Sequence, residues 1–318
     1  MRLARRVIGI AAVAALLWWL GAAFAVAGLW APATFTAAGP VAPAPWPAQS
    51  TVPRFRHVFL IVMENRPASA VYGGGGYLAG LARRYAVETD YYAMTHPSLP
   101  NYLALLGGST FGVRTDCASC FVHAPNLVDS LEAAHRTWGA YMEGLPAAGS
   151  MSASDWPTLY MGKHDPFRYF DDIRTRPARR RRIQPLSSLW PSLRAGRAPA
   201  FIWITPNLCH DMHSCPAFAA QNWLRLVVPR ILDSSAWRRG GVLFITWDEG
   251  KGARPGAPGA GGRVALLAIS AMSRPGGRLS LPANHESLLH TIEAALGVRC
   301  VGASCKAPLL GGLFRRPA

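Results

Sequence analysis

The sequence predicts an α/β fold in which a largely parallel central sheet is sandwiched by helices. Four short runs carry that prediction: HVFLIVM (57–63), AFIWIT (200–205), GVLFITW (241–247) and RVALLAIS (263–270). They are nearly continuous in apolar residues, as strands buried on both faces of a parallel sheet must be. Helix-period segments lie between them, and strands alternating with helices give this layered class. Polar residues follow three of the runs abruptly, which places chemistry at the strand ends.

The elements follow in chain order. Arg2, Arg5 and Arg6 open the chain, and no charge follows from residue 7 to residue 30. That stretch is long enough to cross a bilayer as a helix. It also holds the small-residue patterns AFA (23–25) and AVA (25–27), which resemble cleavage sites. Residues 1–30 therefore read as a removed signal peptide or a retained N-terminal membrane anchor, and either one exports the rest. Residues 31–53 are rich in Ala and Pro and read as a solvated linker. The folded domain is expected to span 54–318.

SLPNYLALLGG (98–108) reads as a helix with Ser98 at the N-cap, Pro100 in the first turn and Gly107 at the close. NLVDSLEAAH (126–135) opens on a capping Asn. NHESLLHTIEAALG (284–297) sets Leu288, Leu289, Ile292 and Leu296 on one face and ends at Gly297. RPARRRRI (176–183) reads as a strongly basic loop, and GKGARPGAPGAGG (250–262) as a flexible glycine-rich one.

The net charge of +16 favours anionic partners: a phosphorylated substrate or an anionic membrane surface. Basic residues interleaved with aromatics along a groove are not found, so no nucleic acid is expected. The oligomeric state is not readable. The run Arg179 to Arg182 either steers an anionic ligand or is simply solvated. Six cysteines fall in local pairs, Cys117 with Cys120, Cys209 with Cys215 and Cys300 with Cys305, which suits disulfides in an exported chain. Zinc on Cys117 and Cys120 is the alternative, though no second CxxC accompanies it.

Glu64 and Asn65 end the first run. Asn207, His210 and Asp211 follow the second. Asp248 and Glu249 end the third. Ligands of open parallel sheets bind beyond the carboxyl ends of the strands, so three strands deliver polar groups to one rim. Hard oxygen donors gathered there suit a divalent cation of unfixed identity and number. Each residue taken alone could equally be a loop or capping group. Ser98 would point its hydroxyl into the positive end of a helix dipole, where free N–H groups cradle an anion. A serine that attacks phosphorus needs that setting and a nearby cation. Asn101 could donate to the same oxygens.

HVFLIVMENRP, THPSLPNYLALLGG, NLVDSLEAAHRTWGAYMEG, KHDPFRYF, ITPNLCHDMHSC, FITWDEG and NHESLLHTIEAALG occur in this order from about residue 55 to 300. Together they resemble the bacterial phosphoesterase family, of acid phosphatase and phospholipase C type, within the alkaline phosphatase superfamily. The resemblance implies an alkaline phosphatase-like fold and hydrolysis of phosphate esters through a phosphoserine. It implies Ser98 as nucleophile and Glu64, Asn65, Asp248, Glu249, Asn207 and Asp211 as metal ligands. Asn101, Lys163, His164 and His96 would contact the phosphate, and His210 and His285 would carry protons. Two departures stand out. Ser214 and AAQNWL replace more acidic residues, which leaves a second metal open. Glu286 stands where an aromatic is usual and would reshape the pocket mouth.

His57, His123 and His135 are expected to be structural or inert, and Asp171 with Asp172 to lie in a solvated loop. The rival function is an exported anion- or lipid-binding module without turnover. Sulfate ester hydrolysis would need a CxPxR or SxPxR motif, and SLPNY lacks the Arg.

Overall fold

The computed structural model describes residues 51–252 and 259–315. The expected leader at 1–30, nearly all of the linker and residues 253–258 of the glycine-rich loop lie outside the described residues. Among the described residues no helix is long and apolar enough to cross a membrane.

The central sheet has eight strands in the order Arg278–Leu279, Ala86–Glu88, Leu266–Ile269, Gly241–Trp247, His57–Met63, Phe201–Thr205, Trp138–Met142, Ile183–Pro185. His57–Met63 lies in the middle. It pairs in parallel with Phe201–Thr205 on one side and Gly241–Trp247 on the other, with Val58 opposite Phe201 and Val242. Apart from His57, every residue of these three strands is buried. Burial on both faces is why their sequences are apolar without alternation.

One expected strand differs in direction. RVALLAIS narrows to Leu266–Ile269 and runs antiparallel to both neighbours. Among the described residues no helix lies between Trp247 and Leu266, and parallel pairing requires such a crossover. Trp138–Met142 is a further buried parallel strand that its apolar pattern did not announce, because Gly139 and Ala140 dilute the run.

The helix Ser98–Gly107 is buried along its whole length and packs on the helix His285–Leu296, which in turn contacts the central strand. Ser98 is not its N-cap. Pro97 holds that position, and Ser98 is the first helical residue. Its hydroxyl is thereby released from capping. Asn126 and Asn284 do cap their helices, Leu127–Ala133 and His285–Leu296, with reciprocal bonds to residues Asp129 and Ser287. Gly297 ends the latter at φ 71°, a left-handed position that glycine takes without strain. The helix Ala217–Leu232 was not foreseen from sequence.

The basic stretch is not a free loop. It holds the short helix Pro177–Arg180 and leads into the strand at Ile183, and Arg179 turns inward onto Asp129, Glu132 and Asp172. Asp171 and Asp172 open the helix Asp171–Arg174 instead of lying in a solvated loop. His57 is structural, its Nδ1 2.8 Å from the Pro199 carbonyl. All three cysteine pairs are disulfides. A Cys117–Cys120 disulfide leaves no thiolate for zinc. Three disulfides fit an exported chain.

Candidate active site

The carboxyl ends of the three central strands supply the site. Glu64, Asp211 and Asp248 are all fully buried. Backbone bonds lock the strand ends together: Glu64 N–H donates to the Asp211 carbonyl at 2.8 Å, and Asp248 N–H to the Met63 carbonyl at 2.9 Å. Asn65 N–H donates to Asp248 Oδ1 at 3.0 Å. Asn65 sits at φ 52° and Met212 at φ 85°. Asn tolerates the left-handed region and Met does not, so the turn at Met212 stores backbone strain beside Asp211.

Ser98 meets this cluster. Its Oγ donates to Glu64 Oε2 at 3.1 Å. The other Glu64 oxygen lies 3.1 Å from His164 Nε2, and His164 Nδ1 lies 3.5 Å from Asp211 Oδ2. These contacts are not ion pairs, because burial, with the charge of Lys163 next, holds the His164 imidazole well below its usual pKa and so neutral. Tyr102 stacks on His164 with ring centres 5.3 Å apart and fixes its plane. Burial, and then repulsion from Asp248 and Asp211, drives the Glu64 carboxyl far above its ordinary range. Burial, then Glu249, raises Asp248 to about 7.

Glu64 Oε1, His164 Nε2, Asp211 Oδ2 and Asp248 Oδ2 are buried without a hydrogen-bond partner. Buried carboxylate oxygens left unpaired cost free energy, and a cation among them removes that cost. Their hard-oxygen and imidazole chemistry fits a divalent ion. Among the described residues, no group of three or more His, Cys, Asp or Glu side chains already stands in a metal-holding arrangement.

The other expected residues divide into two groups. Lys163 is close: its Nζ bonds Asp116 Oδ2 at 2.6 Å, and Asp116 Oδ1 accepts from the Leu99 N–H at 3.0 Å. Burial lowers the Lys163 pKa, but the Asp116 bond and charge outweigh it and the net shift is upward. His96 Nδ1 lies 2.6 Å from Glu249 Oε2, two residues ahead of Ser98. His210 Nδ1 is 3.0 Å from Glu143, which also accepts from Trp223 Nε1, and the His210 ring lies against the Trp223 indole.

Three residues have their polar atoms held by hydrogen bonds within the fold. Asn101 Oδ1 accepts from the Met94 and Thr95 N–H groups, and its Nδ2 donates to the Thr95 and Pro97 carbonyls. It clamps the turn ahead of Ser98. Asn207 Oδ1 accepts from Cys209 and His210 N–H, and its Nδ2 donates to Thr158 O. His285 is wholly buried, with Nε2 2.6 Å from the Asp248 carbonyl and Nδ1 2.8 Å from Tyr91 Oη. Burial lowers it to about 4, and both nitrogens are occupied.

The model of the phosphoesterase family matches residues 76–299. The chain belongs to that family. Phosphatidylinositol-3-phosphatase of Mycobacterium tuberculosis is 31% identical over 269 residues, covering 82% of this chain and 83% of that protein. Phosphate-repressible acid phosphatase of Penicillium chrysogenum is 29% identical over 204 residues, 62% of this chain. The chain spans 48% of that fungal relative. A protein of the alkaline phosphatase superfamily from Vibrio parahaemolyticus superposes with a TM-score of 0.52 over 82% of this chain and 72% of that one. At 13% identity that likeness concerns the fold alone. The fold is thus an alkaline phosphatase-like α/β fold in a phosphoric ester hydrolase family.

Asp116, Glu143, Tyr91 and Tyr102 were not singled out from sequence. Glu143 directly follows the strand Trp138–Met142, so the strand-end rule that found Glu64 and Asp248 would have found it had that strand been recognised.

Proposed function

We propose that the protein hydrolyses phosphate monoesters, with Ser98 as nucleophile and a phosphoserine intermediate. The supporting observation is the Ser98 hydroxyl, bonded to Glu64 at the buried start of a helix and facing unpartnered carboxylate oxygens. Both named relatives are phosphatases, which favours a monoester over a diester.

Glu64, Asp248 and Asp211, with Asn65 and His164 beside them, would hold a divalent cation. When bound, such an ion lowers the serine hydroxyl's pKa and neutralises phosphoryl oxygens. Glu64 fixes the direction of the Ser98 Oγ–H, so its lone pairs face an incoming phosphorus. The Ser98 N–H at the helix start receives a phosphoryl oxygen, since Asp116 holds the Leu99 N–H and Pro100 has none. Lys163, aimed by Asp116, adds positive charge at the mouth. His210 carries the proton between the leaving group and water, its far nitrogen set by the Glu143 bond. His285 acts from behind, holding the Asp248 carbonyl, and takes no proton.

Wild type and Ser98→Ala would be assayed on a phosphate monoester, a phosphodiester and phosphatidylcholine, with chelator and with added divalent metals. Chelator-sensitive hydrolysis of the monoester that falls at least about 10³-fold in Ser98→Ala is expected. Full activity in Ser98→Ala would leave Ser98 a structural residue. A folded, metal-binding protein inert on all three substrates would favour the binding-module reading.

A further inference from the structure

A cavity of about 410 Å³ opens at the other end of the sheet. Arg194 closes the helix Leu189–Arg194 ahead of the strand Phe201–Thr205, while Arg230, Ser235 and Arg238 precede the strand Gly241–Trp247. Both strands then run toward the catalytic rim. Seven residues at about 3.3 Å each set the cavity roughly 20 Å from Asp248.

Its lining is cationic and partly aromatic. Arg230 lies over the Trp190 ring at 5.3 Å, which orients its guanidinium. Arg238 is steadied by the Asp233 carbonyl. The Arg194 guanidinium and the Ser235 hydroxyl take no partner among the described residues. Three arginines thus line the cavity with one acidic residue, Asp233, which forms no ion pair among the described residues. Trp190 and Leu193 supply the apolar wall.

We propose that this cavity is a second ligand site, separate from the catalytic rim, that takes a small phosphorylated organic molecule. Guanidinium forks match phosphate oxygens in pairs and carry fixed charge at any working pH. The volume is that of a drug-sized ligand, larger than inorganic phosphate needs. The phosphate sits on Arg194, Arg238 and the Ser235 hydroxyl. The organic part lies on Trp190 and Leu193.

The test is calorimetric titration of the full chain with phenylphosphonate and methylphosphonate, whose carbon–phosphorus bond resists hydrolysis. The double variant Arg194→Gln/Arg238→Gln is expected to bind one equivalent of phenylphosphonate fewer than wild type. Its turnover of phenyl phosphate stays within about two-fold, since neither residue belongs to the catalytic rim. Arg197→Gln/Arg239→Gln, outside the cavity, keeps the wild-type stoichiometry. Arg194→Gln alone, at an exposed and unpartnered position, weakens the distal site about ten-fold, in line with one lost charge-assisted bond. At that site methylphosphonate binds at least about ten-fold more weakly than phenylphosphonate. Unchanged stoichiometry in the folded double variant would overturn the proposal, as would the same loss in the Arg197/Arg239 pair, which would mean diffuse charge only. Equal affinity for the two phosphonates would overturn the organic half of it.

Discussion

Asp116 reaches two groups at once: its Oδ1 accepts from the second residue of the Ser98 helix, and its Oδ2 holds Lys163. One side chain therefore fixes both a helix start and a cation at the mouth of the site. Asp116→Asn is expected to loosen Lys163 and raise KM for a monoester about ten-fold, with kcat changed much less, because a charge-assisted bond is worth about 1.5–3 kcal/mol. Steady-state kinetics at saturating metal check it. An equal fall in kcat with KM unchanged would mean that Asp116 serves the transition state instead. The residues at strand ends were legible in the sequence because abrupt polarity after a buried apolar run marks where a strand leaves the core. Their individual uses were not. Asn101, Asn207 and His285 have the chemistry of ligands, yet in the fold their polar atoms bond mainly to backbone groups, with the Tyr91 hydroxyl on His285 Nδ1.

The three buried parallel strands could be read from their apolar runs, which are short and rich in Val, Ile, Phe and Trp, as strands buried on both faces are. Strand direction could not. Leu266–Ile269 has the composition of its parallel neighbours, and only the returning connection makes it antiparallel. The basic stretch shows the same limit. Four consecutive arginines look alike in sequence, but the fold turns Arg179 onto three carboxylates. Arg179→Leu leaves Asp129, Glu132 and Asp172 repelling one another. It should cost about 2–3 kcal/mol, discounted for the partial exposure of the partners. Thermal unfolding would show a Tm lower by several degrees, with activity per folded molecule unchanged. An unaltered Tm would reduce this cluster to a surface charge pattern.

Across the whole molecule, buried carboxyls set the pH response of stability. Burial raises Glu293 to about 8 from a usual 4.5, against bonds from Ser304 and Val301 that lower it. Burial also raises Glu88 and Asp165 to about 7. A raised carboxyl keeps its proton in the folded chain and releases it in the unfolded one. The stability it confers is complete below about pH 4.5 and is lost as pH climbs through about 7 to 8. The Tm should therefore fall between about pH 5 and pH 8, and Glu293→Gln should flatten that fall. A parallel fall in both proteins would mean that Glu293 does not set it.

Ser98 carries the proposed chemistry. Rapid acid quenching during turnover of a phosphate monoester, followed by proteolysis and peptide mass spectrometry, tests it most directly. A phosphate on the peptide carrying Ser98, absent in Ser98→Ala and absent when metal is chelated, is the predicted result. Turnover with no phosphorylated Ser98 at any quench time, together with an active Ser98→Ala, would contradict it.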